Sequence, residues 1–193
     1  MKKIGLLGGS FDPPHKGHLF ISIEAKKILK LDQVWWLVAP KNPLKIIDPA
    51  SYKERVENCK KITKNHAIKV VEIEKNIKSK FSYQTISFLQ NYYKNINFVW
   101  LMGADNLIHF HRWQKWRCIF NNIPIVIFKR HGYNTKALKS IASKNFVNSR
   151  ILKSKIKLED FNKLPSWIII ENKEVKISST EIRNQREKFR GKN

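Results

Sequence analysis

The sequence lacks the features that mark exported, membrane-spanning or disulfide-stabilised proteins. Cysteine occurs only twice in 193 residues, at Cys59 and Cys118, and never in a CxxC spacing. Such usage argues against a disulfide framework and favours a reducing compartment, so we expect a cytoplasmic protein. No apolar run approaches the length of a membrane span. The apolar run at residues 4–7 is too short for a signal peptide, and we therefore expect neither an export signal nor a membrane partner.

Acidic residues are also scarce, with 15 Asp and Glu against 38 Lys and Arg, which gives a formal net charge of +23. A strongly basic face is typical of nucleic-acid-binding proteins. Here the lysines are scattered along the chain, which favours a general lysine bias combined with an anionic substrate. The alternative of another class is a basic nucleic-acid-binding module. Its best support is the aromatic and basic run Trp-Gln-Lys-Trp-Arg at residues 113–117.

Apolar strands alternate with helical patterns along the whole chain, which has the length of one compact domain over residues 1–193. The predicted strands are residues 3–8, 33–39, 68–73, 97–102, 123–128 and 167–170. The predicted helices are residues 16–30, 51–63, 82–93, 105–110, 113–120 and 135–144, with one more from residue 178. Strands that are apolar throughout are typical of a parallel sheet covered on both faces. The fold class is therefore α/β, a Rossmann-like doubly wound, mainly parallel sheet with helices on both faces.

The most informative stretch, residues 8–19, reads Gly-Gly-Ser-Phe-Asp-Pro-Pro-His-Lys-Gly-His-Leu and joins the first strand to the first helix. Gly8 and Gly9 lack a Cβ, so a ligand can approach the backbone closely. The helix start offers unpaired amides and a positive dipole end. His15 and His18 lie three residues apart and can donate hydrogen bonds to phosphate oxygens. We therefore expect a polyphosphate here; a metal site would need a third ligand, and none is close in sequence.

Other polar residues follow later strands, where a doubly wound sheet binds its ligands. Asp105 follows Gly103, Arg130 follows the fifth strand, and Lys45 lies in the loop after the second strand. Ser178, Ser179 and Thr180 begin the last helix, with Arg183 one turn inside, and suit phosphate binding. Trp113 could stack on a pyridinium ring; the bland alternative for Trp113, and more so for Trp116, is core packing.

These motifs carry a resemblance. The first stretch and Ile-Ser-Ser-Thr-Glu-Ile-Arg at residues 177–183 resemble the two signatures of the nucleotidyltransferase superfamily with HxGH and ISSTxxR motifs. Within it, Gly-Ala-Asp-Asn-Leu at residues 103–107, residues 110–113, Asn-Pro-Leu-Lys at residues 42–45 and residues 129–133 are most similar to bacterial nicotinate-nucleotide adenylyltransferases. The family often has His where Leu44 stands and Pro where His131 stands.

The resemblance implies adenylyl transfer from ATP to nicotinate mononucleotide, with Mg²⁺ accompanying ATP. It implies that His18, His15 and Arg183 are catalytic and that Asp105 accepts hydrogen bonds from a ribose hydroxyl. The implied ATP site comprises Gly8, Gly9, Ser10, Phe11, His15, His18, Gly103, Asp105, Ile177, Ser178, Ser179, Thr180 and Arg183, with Ser10 and Phe11 contacting substrates through backbone and side chain. The implied nicotinate mononucleotide site comprises Lys45, Ser82, Trp113 and Arg130. Other acceptors open to this superfamily are nicotinamide mononucleotide and pantetheine phosphate.

Overall fold

A computed structural model describes residues 1–40, 49–152, 156–161, 163–171, 179–180 and 182–184 of the chain. The strands are β1 (Lys2–Gly9), β2 (Gln33–Val38), β3 (Ile68–Val71), β4 (Ile96–Gly103), β5 (Ile125–Phe128) and β6 (Trp167–Ile170). The helices are α1 (Lys16–Leu29), α2 (Tyr52–Thr63), α3 (Ile73–Asn76), α4 (Ser82–Tyr92), α5 (Ala104–His109), α6 (Trp116–Asn122), α7 (Asn134–Leu138) and α8 (Ile141–Asn145).

The six strands form one sheet in the order β3-β2-β1-β4-β5-β6, and every neighbouring pair is parallel. The order reverses between β1 and β4, which lie side by side at the centre with Leu6 opposite Trp100. A crevice opens at such a reversal, beyond the carboxyl ends of the strands. The predicted Rossmann-like α/β fold is confirmed.

Apolar side chains cover both faces of the sheet, because successive residues of a strand point to opposite sides. On one face, Leu6 and Trp100 belong to a core that includes residues of α4, α5 and α6. On the other face, Leu7 and Trp36 belong to a core that includes residues of α1 and α2. The helices therefore cover both faces, as the apolar strands predicted.

Three predicted elements differ from the structure. The third strand ends at Val71, and α3 (Ile73–Asn76) occupies part of the expected strand and loop. Residues 113–120 are not one helix: a 3-10 turn covers Phe110–Arg112, Trp113 is extended, and α6 begins only at Trp116. The cause is the left-handed conformation of Lys115, with φ of 51°, which interrupts helical backbone. Residues 135–144 form two short helices, since Ser140 caps a new start at α8.

Both cysteines are free thiols, Cys59 buried and Cys118 exposed. Within the described ranges, no helix has both the length and the apolar character needed to cross a membrane.

Candidate active site

Several of the predicted site residues that the structure describes lie at the carboxyl ends of the central strands. Gly9 ends β1 and Gly103 ends β4, the two strands that flank the reversal of strand order. The turn after β1 leads into α1, and α5 starts directly after β4. The carboxyl ends of β1 and β4 therefore bring the start of α1 and the start of α5 to the same crevice.

His15 and His18 form a reciprocal cap at the start of α1. The amide of Gly17 donates to His15 Nδ1 at 3.1 Å, and the amide of His15 donates to His18 Nδ1 at 3.2 Å. A nitrogen that accepts a hydrogen bond carries no proton, so each neutral imidazole has its proton on Nε2. The ring centroids lie 3.9 Å apart. The two side chains thus provide a pair of adjacent N–H donors with fixed tautomers.

The aromatic ring of Phe11 packs against His18 of this pair. Its ring is only 2% exposed and stacks on Trp36 with the centroids 4.7 Å apart. The ring of His18 lies 4.8 Å from that of Phe11. The ring is buried in the core and lies against His18, and the expected contact of Phe11 with substrate stays a prediction. The backbone of Phe11 has φ of 49°, a left-handed conformation that costs a residue with a Cβ about 1 kcal/mol.

Internal packing leaves no room for a side chain at Gly8, the first glycine of the first motif. A Cβ on Gly8 would lie 2.7 Å from Cη2 of Trp100, and one on Gly9 would lie 3.4 Å from the ring of Phe11. At Gly103 a Cβ would lie 2.5 Å from Oδ1 of Asp105. Only the contact at Gly8 excludes a side chain, since 3.4 Å at Gly9 is an ordinary van der Waals distance and the atom near Gly103 is the end of a side chain. The ligand contacts expected at Gly8, Gly9 and Gly103 stay predictions.

The second motif contacts the first, although more than 160 residues separate them in the chain. Residues 179–180 and 182–184 have helical conformation. Ser179 Oγ donates to the carbonyl of Pro13 at 3.0 Å. Arg183 donates through Nη1 to the carbonyl of Asp12 and through Nη2 to Thr180 Oγ1. The two end motifs therefore lie together, as predicted; Ile177 and Ser178 lie outside the described residues.

Asp105 and Arg130, expected on different substrates, form an ion pair. Arg130 Nη1 lies 2.6 Å from Asp105 Oδ2, and both side chains are about one quarter exposed. Asp105 Oδ1 is buried and has no hydrogen-bond donor within the described part of the protein. Asp105 lies in the first turn of α5 behind Gly103, which caps the helix. The pair therefore holds one carboxylate oxygen and leaves the other as an acceptor at the carboxyl end of β4.

Trp113 and Ser82 occupy neighbouring segments on one side of the sheet. Trp113 is half-buried, with its ring centroid 6.2 Å from that of Trp100 and 4.8 Å from that of Phe110. Trp116 is 8% exposed and belongs to the core, as the bland alternative held. Lys115 Nζ lies 4.9 Å from the ring centroid of Tyr83, the residue after Ser82. Ser82 is the first residue of α4 rather than its cap, which is Phe81.

Lys45 lies outside the described residues, so its contact with phosphate stays a prediction. Among the residues that the structure places, no group of three or more His, Cys, Asp and Glu side chains is arranged to hold a metal ion.

The sequence analysis did not predict that two charged residues, Arg55 and Glu74, are buried. Arg55 precedes the buried Cys59 and Thr63 by four and eight residues, so helical periodicity already placed it on the inner face of α2. Glu74 lies just after the predicted third strand, outside any predicted helix or strand. Burial raises the pKa of its carboxyl from 4.5 to about 7, against the hydrogen bond from Thr85. Thr85 Oγ1 donates to Glu74 Oε1 at 3.3 Å and contacts Ser79 Oγ at 3.0 Å.

Known proteins are similar in sequence to this chain over nearly its full length. The profile of the cytidylyltransferase-like family matches residues 6–185. A protein of Ruegeria sp. (strain TM1040), named "Probable nicotinate-nucleotide adenylyltransferase", is 42% identical over 94% of this chain and 96% of its own length. A protein of the same name from Agrobacterium fabrum is 38% identical, over 94% and 97% of the two chains. The chain belongs to the nicotinate-nucleotide adenylyltransferase family. The resemblance seen in the motifs is thereby confirmed.

Solved structures of nicotinic acid mononucleotide adenylyltransferases have the same fold as this chain. The nicotinic acid mononucleotide adenylyltransferase of Plasmodium falciparum complexed with NaAD aligns with a TM-score of 0.70 at 18% identity, over 95% of this chain and 83% of that chain. The same enzyme complexed with APC aligns with a TM-score of 0.68 at 17% identity. At such identities the likeness concerns the fold, and it agrees with the observed six-stranded sheet.

Proposed function

We propose that this protein transfers the adenylyl group of ATP to nicotinate mononucleotide and so forms nicotinate adenine dinucleotide and pyrophosphate. The family carries this proposal, and one observation of the structure supports it most. Ser179 and Arg183 bond to the carbonyls of Pro13 and Asp12, so hydroxyl and guanidinium groups from the end of the chain lie beside the histidine turn. Histidines and an arginine held together suit a triphosphate.

The reaction needs positioning and charge stabilisation more than proton transfer. A phosphate oxygen of the mononucleotide attacks the α-phosphorus of ATP, and the bond to the bridging oxygen of pyrophosphate breaks. The attacking oxygen is already ionised at neutral pH, so no general base is required. We assign His15 and His18 to donate Nε2–H bonds to the triphosphate, with His18 stabilising the charge that develops during transfer. Arg183 would bind the leaving phosphates, and Ser179 and Thr180 would complete this half of the site.

Asp105 would bind the ribose of ATP. Its buried Oδ1 lacks a donor among the described groups, and a ribose hydroxyl is a donor of the right kind. Arg130 fixes the other oxygen at 2.6 Å, which orients the carboxylate. Backbone groups of residues 8–11 and 103, together with Ile177 and Ser178, complete the proposed ATP site.

We propose that the acceptor binds on the side of Trp113 and Ser82. The half-buried indole of Trp113 can stack on the pyridinium ring, and the positive charge of the pyridinium adds a cation–π attraction. Ser82, in the first turn of α4, can donate a hydrogen bond to the nicotinate carboxylate. Arg130 and Lys45 would add positive charge for the anionic acceptor.

We propose that Mg²⁺ arrives with ATP, bound mainly through phosphate oxygens and water. The donor set fits this mode, because the carboxylate of Asp12 is engaged by the amide of Ala50 and lies 3.8 Å from Arg183. When bound, the ion would neutralise part of the triphosphate charge. We further propose one domain over residues 1–193, since strands from both ends of the chain share a sheet, and the cytoplasm as its compartment.

A substrate panel tests the proposed function. The protein is incubated with Mg²⁺ and ATP and with nicotinate mononucleotide, nicotinamide mononucleotide or pantetheine phosphate, and pyrophosphate release is measured. We expect the fastest release with nicotinate mononucleotide. Turnover of pantetheine phosphate without turnover of nicotinate mononucleotide would contradict the proposal, as would no release with any acceptor.

A further inference from the structure

Arg55 on α2 is a buried cation that the proposed chemistry does not use. Its side chain is 1% exposed. Its hydrogen bonds to the described residues all go to backbone carbonyls: Nε donates to Ala50 at 2.9 Å, Nη1 to Ser10 at 2.6 Å and Ala39 at 2.8 Å, and Nη2 to Pro40 at 2.7 Å. Within the described residues it forms no ion pair.

Burying a guanidinium costs free energy, so its hydrogen bonds are needed to offset that cost. Removing a guanidinium from water costs several kcal/mol unless partners replace the water. Burial lowers the pKa of Arg55, while the charge of Asp12 opposes that shift. Four carbonyl oxygens satisfy the donors here, so the cation is compensated by backbone dipoles rather than by a bonded carboxylate.

The four carbonyls belong to three separate segments, and each borders the proposed site. Ser10 lies in the turn after β1, directly before Phe11. Ala39 and Pro40 follow β2. Ala50 precedes α2, so Pro40 and Ala50 flank the stretch of sequence that contains Lys45. A single guanidinium thus fixes the distance between the first motif and both flanks of that stretch.

A further contact extends this network to the second motif. The amide of Ala50 donates to Asp12 Oδ1 at 3.3 Å, and the carbonyl of Asp12 accepts from Arg183. The turn that Arg55 holds also carries Phe11, whose ring supports the imidazole of His18. A displacement of the Ser10 carbonyl would therefore reach both His18 and Arg183 through direct contacts.

We propose that Arg55 is a positioning residue for adenylyl transfer, holding the turn at residues 10–12 and the two flanks of residues 41–49 in the geometry that binds the triphosphate. This inference rests on the proposed function. Arg55 touches no reacting atom in this account. The planar guanidinium is required because its five N–H groups point in fixed, divergent directions, whereas the ammonium of lysine presents three donors from one atom.

Two variants and one control test the proposal. Arg55→Lys keeps the charge and nearly the length but loses the fork. Arg55→Ala creates a cavity that a small guanidinium can enter. Arg150→Lys is the matched control, since Arg150 has a buried Nε and lies over Trp167, at the amino end of β6 and so at the opposite edge of the sheet. Thermal unfolding is measured for each, and kinetics are measured well below every melting temperature.

We expect Arg55→Lys to lower kcat by roughly 10- to 100-fold, because a displacement of about 1 Å at a reacting centre can cost this much. The KM for ATP should change by less than about threefold, and Arg150→Lys should keep wild-type kinetics. Methylguanidinium should restore activity to Arg55→Ala in a saturable manner, whereas methylammonium of equal charge should not. If Arg55→Ala does not fold, the kinetics of Arg55→Lys decide.

Wild-type kinetics in Arg55→Lys would overturn the proposal. Equal losses of activity in Arg55→Lys and Arg150→Lys would also overturn it, since they would indicate a general effect of stability. Rescue by methylammonium as good as rescue by methylguanidinium would show that charge alone matters and that the fork does not. Failure of the function itself is distinguishable, because the wild-type protein would then release no pyrophosphate from ATP and nicotinate mononucleotide.

Discussion

The phosphate side and the acceptor side of the proposed site are built in different ways. The phosphate side, formed by the turn after β1, the start of α1, Ser179 and Arg183, is held by hydrogen bonds from side chains to the backbone and by the reciprocal histidine caps. The acceptor side, formed by Trp113, Ser82 and Arg130, consists of half-exposed side chains from separate segments. We therefore expect the reaction chemistry to depend on the interlocked half and the choice of acceptor to depend on the half-exposed side chains of the other half.

The largest effect should come from the interlocked half. We expect His18→Ala to lower kcat by roughly 100- to 1,000-fold, because it removes an Nε2–H donor at the developing charge, with a smaller change in the KM for ATP. Steady-state kinetics of pyrophosphate release measure both.

Two further variants separate the roles of the His18 ring nitrogens. His18→Asn keeps an acceptor for the amide of His15, so it should melt near wild type yet be as inactive as His18→Ala. His18→Gln keeps a donor near Nε2 and should retain more activity than His18→Asn. Exposed His66 is the control, and His66→Ala should have no effect. Equal losses in kcat and in ATP affinity would contradict a transition-state role.

A smaller and more selective effect is expected at Trp113. Trp113→Ala should raise the KM for nicotinate mononucleotide roughly tenfold, because the stacked face and its cation–π attraction are lost, and leave the KM for ATP nearly unchanged. Trp113→Phe should recover most of the affinity. Trp116→Ala is the control for core packing: it should lower the melting temperature more than Trp113→Ala and change the KM less. An unchanged KM for nicotinate mononucleotide in Trp113→Ala would show that Trp113 serves only in packing.

Asp105 and Arg130 join the two halves, and breaking their bond should have a modest effect on both substrates. Asp105→Asn should raise the KM for ATP about fivefold, since a neutral amide binds a hydroxyl less strongly and orients less firmly against Arg130. Asp105→Asn combined with Arg130→Met should lose less than the sum of the single losses in log(kcat/KM), because the bond between them can be lost only once. Additive losses would show that the two residues act independently.

The smallest effect on turnover is expected from Glu74, which stabilises the acceptor side through pH-dependent packing. Its pKa is higher in the folded chain, so between about pH 4.5 and 7 the unfolded chain binds fewer protons and stability falls as pH rises. Glu74→Gln should remove this fall, which amounts to on the order of 3 kcal/mol. The carboxyl accepts a hydrogen bond from Thr85, and the hydroxyl of Tyr52 faces both Glu72 and Glu74.

Urea unfolding at pH 5.5 and pH 8.5 measures this difference. The wild-type protein should lose more stability than Glu74→Gln over this interval. Glu72→Gln, on the less buried residue two positions earlier, should keep the wild-type slope. Parallel pH profiles for the wild-type protein and Glu74→Gln would contradict the raised pKa.

Sequence reasoning predicted the local structure from β1 to α1 because its signals are contiguous. Strand, glycine turn and histidine helix follow one another within residues 2–29, and local chemistry fixes their arrangement. The acceptor side was harder, since the left-handed Lys115 separates Trp113 from the helix of Trp116 and no propensity predicts such a residue. The burial of the Phe11 ring was not predicted, because it depends on Trp36, which comes from another strand.

The buried charges show a second limit. Arg55 lies on the apolar stripe of α2, but charged residues are normally read as exposed. Its partners are backbone carbonyls of loops, and a sequence gives no sign of where loop carbonyls point. The join between the two ends of the chain was predicted from order alone, because parallel strands bring their carboxyl ends to one edge.

The most direct test of this account is a crystal structure with nicotinate adenine dinucleotide and pyrophosphate bound. We predict phosphate oxygens within about 3 Å of both His18 Nε2 and the guanidinium of Arg183, with the pyridine ring on Trp113. Pyrophosphate bound at a site that either His18 or Arg183 cannot reach would contradict the claim that the two ends of the chain form one phosphate site.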